Sequence, residues 1–178
     1  MRLYFARHGH NDANEQTAPD PRTGEVDEPL NTVGIQQAQA LAEELADTSF
    51  DVIISSPLKR ALETAEIVNS KHDLPIEVDA VWREREIGGH VSLDVWLSLF
   101  NFDTNIAPKN GESLRDFFDR VYGAIDDLKQ KYADKTVLIV AHGGVHLALY
   151  AYVNKLDLVG NLRLKPLDNC EYKIYEIR

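Results

Sequence analysis

The sequence predicts an α/β fold, a three-layer α/β/α sandwich in which helices cover both faces of a mostly parallel sheet. Short apolar runs rich in strand-forming residues alternate with longer segments of helical periodicity. Two of these runs, 2–6 and 137–141, lead into Arg7-His8-Gly9 and His142-Gly143, respectively. Because the carboxyl ends of parallel strands line the ligand crevice, we expect both ends to contribute to one site.

The first half of the chain predicts three strands and two helices. The strands are 2–6, 51–54 and 75–80, and a long loop from about His10 to Asn31 is typical of a functional surface segment. Ser56 and Pro57 predict the N-cap and first position of the second helix. The first helix is predicted to bury one apolar face: Ile35, Ala38, Leu41, Ala42 and Leu45.

Residues 93–100 have apolar side chains at helical spacing and predict a short helix, and the chain after Gly111 predicts two further helices and two strands. Ser113 followed by Asp116 resembles a capping box, which opens a long amphipathic helix reaching about Tyr132. A strand over 136–141, a nearly apolar helix over 145–153 and a last strand over 171–178 follow. We therefore expect a single domain over 1–178, in which the irregular stretch 82–111 forms a short cap.

Composition narrows the functional classes. The chain has 178 residues, 44% of them hydrophobic, and one cysteine, Cys170, which excludes an internal disulfide framework. No apolar run reaches the roughly 18 residues of a membrane helix. The net charge of −10 argues against general binding to nucleic acid or anionic membranes. We expect a cytoplasmic protein whose partner is a small molecule, and the sequence leaves its oligomeric state open.

The residues at the strand ends suit a phosphoryl group. Arg7 offers a planar fork of donors for phosphate oxygens, and the backbone N–H groups after His142 begin a helix, which is a ready anion site. Arg60 falls in the first turn of the second helix, where the helix dipole disfavours a cation. A bound anion would offset that misplacement, so these residues favour an enzyme acting on a phosphate ester.

Six motifs in this order carry a family resemblance. They are Arg7-His8-Gly9, residues 30–38, Ser56-Pro57-Leu58-Lys59-Arg60-Ala61, residues 82–88, Gly111-Glu112-Ser113 and Ala141-His142-Gly143-Gly144. Together they cover nearly the whole chain and resemble the histidine phosphatase superfamily, also called phosphoglycerate-mutase-like.

The resemblance implies a catalytic set of five residues. His8 would be the nucleophile that becomes phosphohistidine, while Arg7, Arg60 and His142 would hold the phosphoryl oxygens. Glu84 would protonate the leaving oxygen. Two arginines and a histidinium would supply cationic stabilisation without a metal or other cofactor, and phosphoryl transfer depends mainly on such placement and charge.

The resemblance also implies substrate contacts and marks departures. Asn14 corresponds to an asparagine that contacts the phosphate, Arg85 matches a substrate-binding position of the mutases, and Gly143 could add a backbone donor. Family members usually have Glu and then Thr or Ser where this chain has His10 and Asn11.

Two questions stay open at this point. The acid could be Glu84 or Glu86, which lie two residues apart; the spacing of Glu84 to Gly88 matches the family motif. The sequence favours a phosphatase over a phosphoglycerate mutase, because the segment between Glu84 and Gly111 is short and leaves the site open to water. A phosphate-binding regulator without turnover is the third hypothesis.

Overall fold

The computed structural model describes residues 1–14, 27–87 and 98–178 and contains one five-stranded sheet in that part of the chain. The strands are β1 (Arg2–Arg7), β2 (Val52–Ser55), β3 (Ile76–Val78), β4 (Thr136–Ala141) and β5 (Tyr172–Glu176). The strand order is β3-β2-β4-β1-β5; the strands β1 to β4 are parallel to one another, and only β5 is antiparallel, to β1. The mostly parallel sheet is thus confirmed.

Two hydrophobic clusters cover the two faces of the sheet. Alternate residues of β1 point to opposite faces, so that Leu3 and Phe5 join one cluster and Tyr4 and Ala6 the other. The helices are α1 (Thr32–Leu45), α2 (Lys59–Asn69), α3 (Leu114–Lys131) and α4 (Gly143–Asn154). The first cluster includes the buried faces of α3 and α4, and the second includes those of α1 and α2. This is the predicted three-layer arrangement.

The caps of two helices agree with the sequence. The side chain of Asn31 accepts a hydrogen bond from the backbone N–H of Gly34 at 3.0 Å and caps α1. The predicted capping residue Ser113 accepts one from the backbone N–H of Asp116, also at 3.0 Å, and caps α3. Each cap satisfies a donor that the helix itself leaves unpaired.

Several predicted boundaries are wrong. Helix α2 begins at Lys59 after Leu58, rather than at Pro57. The Ser56 hydroxyl accepts from the backbone N–H of Leu58 at 3.3 Å and also lies 2.7 Å from Nε2 of His142. Strand β3 ends at Val78, because Asp79 accepts a bond from the N–H of Val81 and opens a short 3-10 turn.

The apolar face of α1 and the start of α4 also differ from expectation. Ile35 is 41% exposed, because Gly34 takes the inward position in the first turn of α1. Helix α4 starts at Gly143, two residues earlier than predicted.

The middle of the predicted cap, 88–97, and much of the long loop, 15–26, lie outside the described residues. No helix in the described part is long and apolar enough to cross a membrane.

Two glycines in helices predict opposite effects of the same substitution. A Cβ at Gly123 in α3 would meet nothing within 4 Å, so Gly123→Ala should stabilise the protein by about 0.5–1 kcal/mol through a less flexible unfolded chain. A Cβ at Gly34 in α1 would lie 2.0 Å from the carbonyl oxygen of His10, so Gly34→Ala should destabilise it by more than about 2 kcal/mol. Urea unfolding measures both, and a destabilised Gly123→Ala protein would contradict the packing described for α3.

Candidate active site

The structure brings the two strand-ending histidines together. Parallel pairing aligns Arg7 with Ala141, and the backbone N–H of His8 donates to the carbonyl of Ala141 at 2.9 Å. The rings of His8 and His142 lie edge to face with centroids 5.2 Å apart. Their exposed fractions are 4% and 0%, so the predicted pair forms a buried imidazole cluster at the end of the sheet.

The protonation of His8 follows from its contacts. Its Nδ1 lies 2.7 Å from the carbonyl oxygen of Gly9, which can only accept, so Nδ1 carries the proton. Its Nε2 therefore has a lone pair, and the Nε–H of Arg60 donates to it at 3.2 Å. Burial, together with the charge of Arg60, lowers the pKa of His8 to about 3. At neutral pH the ring is uncharged and Nε2 is nucleophilic.

His142 departs from the expected charge. Complete burial, followed by the proximity of His8 and Arg60, holds the pKa of His142 well below its ordinary value. The ring is therefore neutral at pH 7, whereas the expected group at this position is a histidinium. Its Nε2 lies 2.7 Å from the Ser56 hydroxyl, and its buried Nδ1 has no hydrogen-bond partner in the described part of the chain. An anion beside this ring would favour the charged form.

Two half-buried arginines flank the histidines. The Nη1 of Arg7 donates to the carbonyl of Leu167 at 2.6 Å, while its buried Nε has no partner among the described residues. Burial lowers the pKa of both Arg7 and Arg60, and the negative charge of Glu84 acts on both in the opposite direction. Both guanidinium groups stay charged, so the site combines two cations with two neutral imidazoles.

Glu84 lies in the irregular segment that follows β3 and its 3-10 turn, and its carboxylate reaches the start of α4. Its Oε2 accepts from the backbone N–H of Gly144 at 2.9 Å, and its Oε1 accepts from that of Arg85 at 3.0 Å. A Cβ at position 144 would lie 2.3 Å from Oε1, so only glycine leaves room for this carboxylate. The contact places Glu84 at the N-terminus of α4, next to His142, and its role as the acid stays a prediction.

Asn14 and Gly143 lie at the edge of the cluster. The exposed Asn14 accepts from the backbone N–H of Asn11 and from the side-chain amide of Asn169, both at 3.2 Å. A Cβ at Gly143 would lie 3.6 Å from Nε of Arg7, so this residue lies close to the unpartnered donor. Their predicted roles as substrate contacts are compatible with these positions and stay predictions.

Two of the three guanidinium nitrogens of Arg85 donate hydrogen bonds to backbone carbonyls of the protein itself. It is 7% exposed, its Nε donates to the carbonyl of Glu112 at 3.1 Å, and its Nη1 bonds to the carbonyl of Leu99. Burial lowers the pKa of Arg85 to about 10. Only Nη2 has no partner in the described segments, so a substrate contact by Arg85, still a prediction, would depend on that atom.

The two residues that depart from the family pattern, His10 and Asn11, are half-buried and buried, respectively. Nδ1 of His10 lies 2.9 Å from the side-chain amide of Asn31, which donates to it, so the proton of a neutral His10 ring is on Nε2. Asn11 is 1% exposed, and neither its Oδ1 nor its Nδ2 has a hydrogen-bond partner in the described part of the chain.

Residues 166–169 form one wall of the site that sequence analysis missed. The Leu167 carbonyl binds Arg7, and the side-chain amide of Asn169 donates to the His8 carbonyl at 3.0 Å as well as to Asn14. This stretch belongs to no helix or strand and carries no periodic pattern. The only available signal was its position directly before the last strand, β5.

Comparison with known proteins agrees with this geometry. Residues 3–178 match the family model of the histidine phosphatase superfamily, branch 1. A Bacillus subtilis (strain 168) protein named uncharacterized phosphatase PhoE is 38% identical over 153 residues, which cover 86% of this chain and 77% of the relative. An adenosylcobalamin/alpha-ribazole phosphatase of Escherichia coli (strain K12) is 32% identical over 161 residues, covering 85% of this chain and 78% of the relative.

A solved structure shares the fold. The complex of a mycobacterial glucosyl-3-phosphoglycerate phosphatase with VO3 superposes with a TM-score of 0.80 at 27% identity, covering 97% of this chain and 90% of that one. The similarity therefore extends over nearly the whole chain.

The histidines predict a distinctive titration. Because burial lowers the pKa of His8 to about 3, its ring should stay neutral from pH 8 to pH 5. Burial also holds the pKa of His142 well below 6.5, so this ring should be mainly neutral at pH 6 and above. Imidazole ¹⁵N shifts measure this, with His8→Asn and His142→Asn proteins assigning the signals. Adding inorganic phosphate should raise the pKa of His142 into the measured range. A histidinium signal for either residue at pH 6 without phosphate would contradict the described burial.

Proposed function

The chain belongs to the histidine phosphatase superfamily, and on that premise we propose that it is a metal-independent phosphatase that hydrolyses a small phosphomonoester through a phosphohistidine on His8. The observation that carries the proposal is a pair of buried nitrogen atoms beside a neutral His8: Nε of Arg7 and Nδ1 of His142 have no partner in the described segments. Unsatisfied buried polar atoms are costly, and a phosphoryl oxygen would accept from the Nε–H of Arg7 and from Nδ1 of His142 when that ring is protonated.

The first half-reaction forms a covalent intermediate. Nε2 of His8 attacks phosphorus while the bond from phosphorus to the ester oxygen breaks, and the leaving oxygen takes the proton of a protonated Glu84. The Nε–H of Arg60, which holds Nε2 at a long 3.2 Å, is released to bind a phosphoryl oxygen as the new bond forms. Arg7, Arg60 and a charged His142 then balance the negative charge.

The second half-reaction returns the enzyme to its starting state. Glu84, now a carboxylate, takes a proton from water, the resulting hydroxide oxygen bonds to phosphorus, and the bond from phosphorus to Nε2 breaks. Inorganic phosphate leaves, and Glu84 is protonated again for the next cycle. The cations supplied by the arginines take the charge-balancing part that a metal has in other phosphatases.

The proposal includes the surroundings of the site. Asn14, Arg85 and Gly143 contact the substrate, and residues 82–111 act as a short cap over a single domain. The substrate is a small phosphorylated metabolite in the cytoplasm. Relatives are named for alpha-ribazole, glucosyl-3-phosphoglycerate and phosphoserine substrates, so these three esters head the panel to be tested.

The decisive experiment is a substrate panel in excess EDTA. We expect hydrolysis of p-nitrophenyl phosphate and of at least one metabolite ester, with a phosphoenzyme that is labile in acid and stable in base. His8→Asn should abolish both turnover and label, while His72→Gln, which alters a histidine packed on Phe50, should change neither. No hydrolysis of any ester would overturn the proposal. Isomerisation of 3-phosphoglycerate primed with the bisphosphate, without net hydrolysis, would indicate a mutase instead.

If Glu84 is the acid, the loss of rate on its replacement should depend on the leaving group of the ester. Glu84→Gln should slow cleavage of phenyl phosphate and alkyl phosphates by about 10²–10⁴-fold, with a much smaller effect on p-nitrophenyl phosphate, whose leaving group needs no proton. Gly144→Ala should show the same selectivity, because its methyl group would displace the Glu84 carboxylate. The matched Gly123→Ala protein should be unaffected. Equal losses for all esters in Glu84→Gln would count against the acid.

A further inference from the structure

The Gly111-Glu112-Ser113 motif has no chemical part in the proposed reaction, yet it contacts the segment that carries Glu84. We name residues 81–87 the acid segment. The backbone N–H of Glu112 donates to the Glu86 carbonyl at 3.0 Å, and the Arg85 side chain donates to the Glu112 carbonyl at 3.1 Å. A Cβ at Gly111 would lie 2.5 Å from the Glu86 oxygen, so glycine permits this close approach.

Arg120 of α3 binds the same segment from its other end. Its Nη1 donates to the carbonyl of Val81 at 2.6 Å and to that of Arg83 at 3.3 Å. Its Nε donates to Oε2 of Glu112 at 3.2 Å, and its Nη2 bonds to the other carboxylate oxygen. The guanidinium also lies 5.0 Å from the centre of the Phe117 ring. One planar fork therefore joins α3, the motif and two carbonyls of the acid segment.

We propose that Glu112 and Arg120 are positioning residues for the general acid. The carbonyls they hold, those of Val81, Arg83 and Glu86, flank Glu84 on both sides. This inference rests on the proposed function, because it takes Glu84 as the group that exchanges a proton with the ester oxygen. It assigns the pair no contact with the substrate.

The physical need for such a pair lies in the backbone around Glu84. Residues 83–87 belong to no helix or strand, so no ladder of hydrogen bonds fixes them. The two side chains are only 21% and 26% exposed, so water competes weakly for their bonds. Bidentate geometry fixes direction as well as distance, which a lysine cannot do. A shift of about 1 Å in a reacting group can cost about 10²-fold in rate.

The test compares esters rather than overall activity. Arg120→Met should lower kcat for phenyl phosphate and alkyl phosphates by about 10–10²-fold, with less than about a threefold change for p-nitrophenyl phosphate and little change in KM. Arg120→Lys keeps the charge and the packed aliphatic part of the side chain but not the planar fork. It should show the same dependence on the ester, with a smaller loss of kcat than Arg120→Met. Glu112→Gln keeps one acceptor oxygen and should fall between the wild type and Arg120→Met.

Arg115→Met is the matched control. Arg115 lies on the same helix, is also half-buried, and donates to two backbone carbonyls, those of Phe102 and Leu158, outside the acid segment. Its loss should leave the ratio of the rates for alkyl and p-nitrophenyl esters unchanged. Thermal unfolding of each variant shows whether it is folded, and Arg120→Lys serves if Arg120→Met does not fold.

A double-mutant cycle separates positioning from general damage. If Arg120 acts through Glu84, Arg120→Met should add less than about threefold to the loss already caused by Glu84→Gln. Equal losses for all esters, or losses that multiply in the double variant, would overturn the positioning role while leaving the acid intact. If Glu84→Gln itself shows no leaving-group dependence, the proposed acid fails, and the positioning role fails with it.

Discussion

The register of β4 between its two parallel neighbours determines where the chemistry can occur. Arg7 pairs with Ala141 on one side and Ser55 with Val140 on the other, so three strands end at nearly the same level. The ladder continues one step further, with N–H groups of His8 and Ser56 bonded to β4 carbonyls. The first residues after the strands therefore meet, and a slip of one residue would turn every side chain to the opposite face.

This placement creates an electrostatic conflict, which the low pKa values of the two histidines resolve because neutral rings add no further positive charge. Two imidazoles share a buried space with Arg7 and Arg60, and a third and fourth positive charge there would be unfavourable. Burial and the neighbouring cations hold the pKa of both rings low, so Nε2 of His8 keeps its lone pair. On the proposed mechanism a phosphoryl dianion would change the balance, because its charge would favour a protonated His142. The same burial would then suit a nucleophile before binding and a charged donor after it.

Much of this site could be predicted from the sequence because its central residues directly follow strands. His8, His142 and Arg60 could be located from apolar runs and one helix start, although α2 begins two residues later than predicted. Their partners could not. Asn169 reaches His8 from a stretch without periodicity, and Ser56, whose hydroxyl accepts from the N–H of Leu58, also bonds to His142. Such contacts join residues far apart in sequence, and only the packed chain determines them.

The N-terminus of α4 links the acid to the phosphoryl group. The Glu84 carboxylate accepts a hydrogen bond from the backbone N–H of Gly144. The preceding residue, Gly143, lies near the unpartnered Nε of Arg7. On the proposed mechanism two anionic groups then share one helix end and the same two arginines. A phosphoryl dianion arriving there would compete with Glu84 for the N–H groups at the start of α4 and for the positive charge of Arg7 and Arg60. The position of the carboxyl group relative to the ester oxygen therefore depends on the backbone of the acid segment as well as on this helix end.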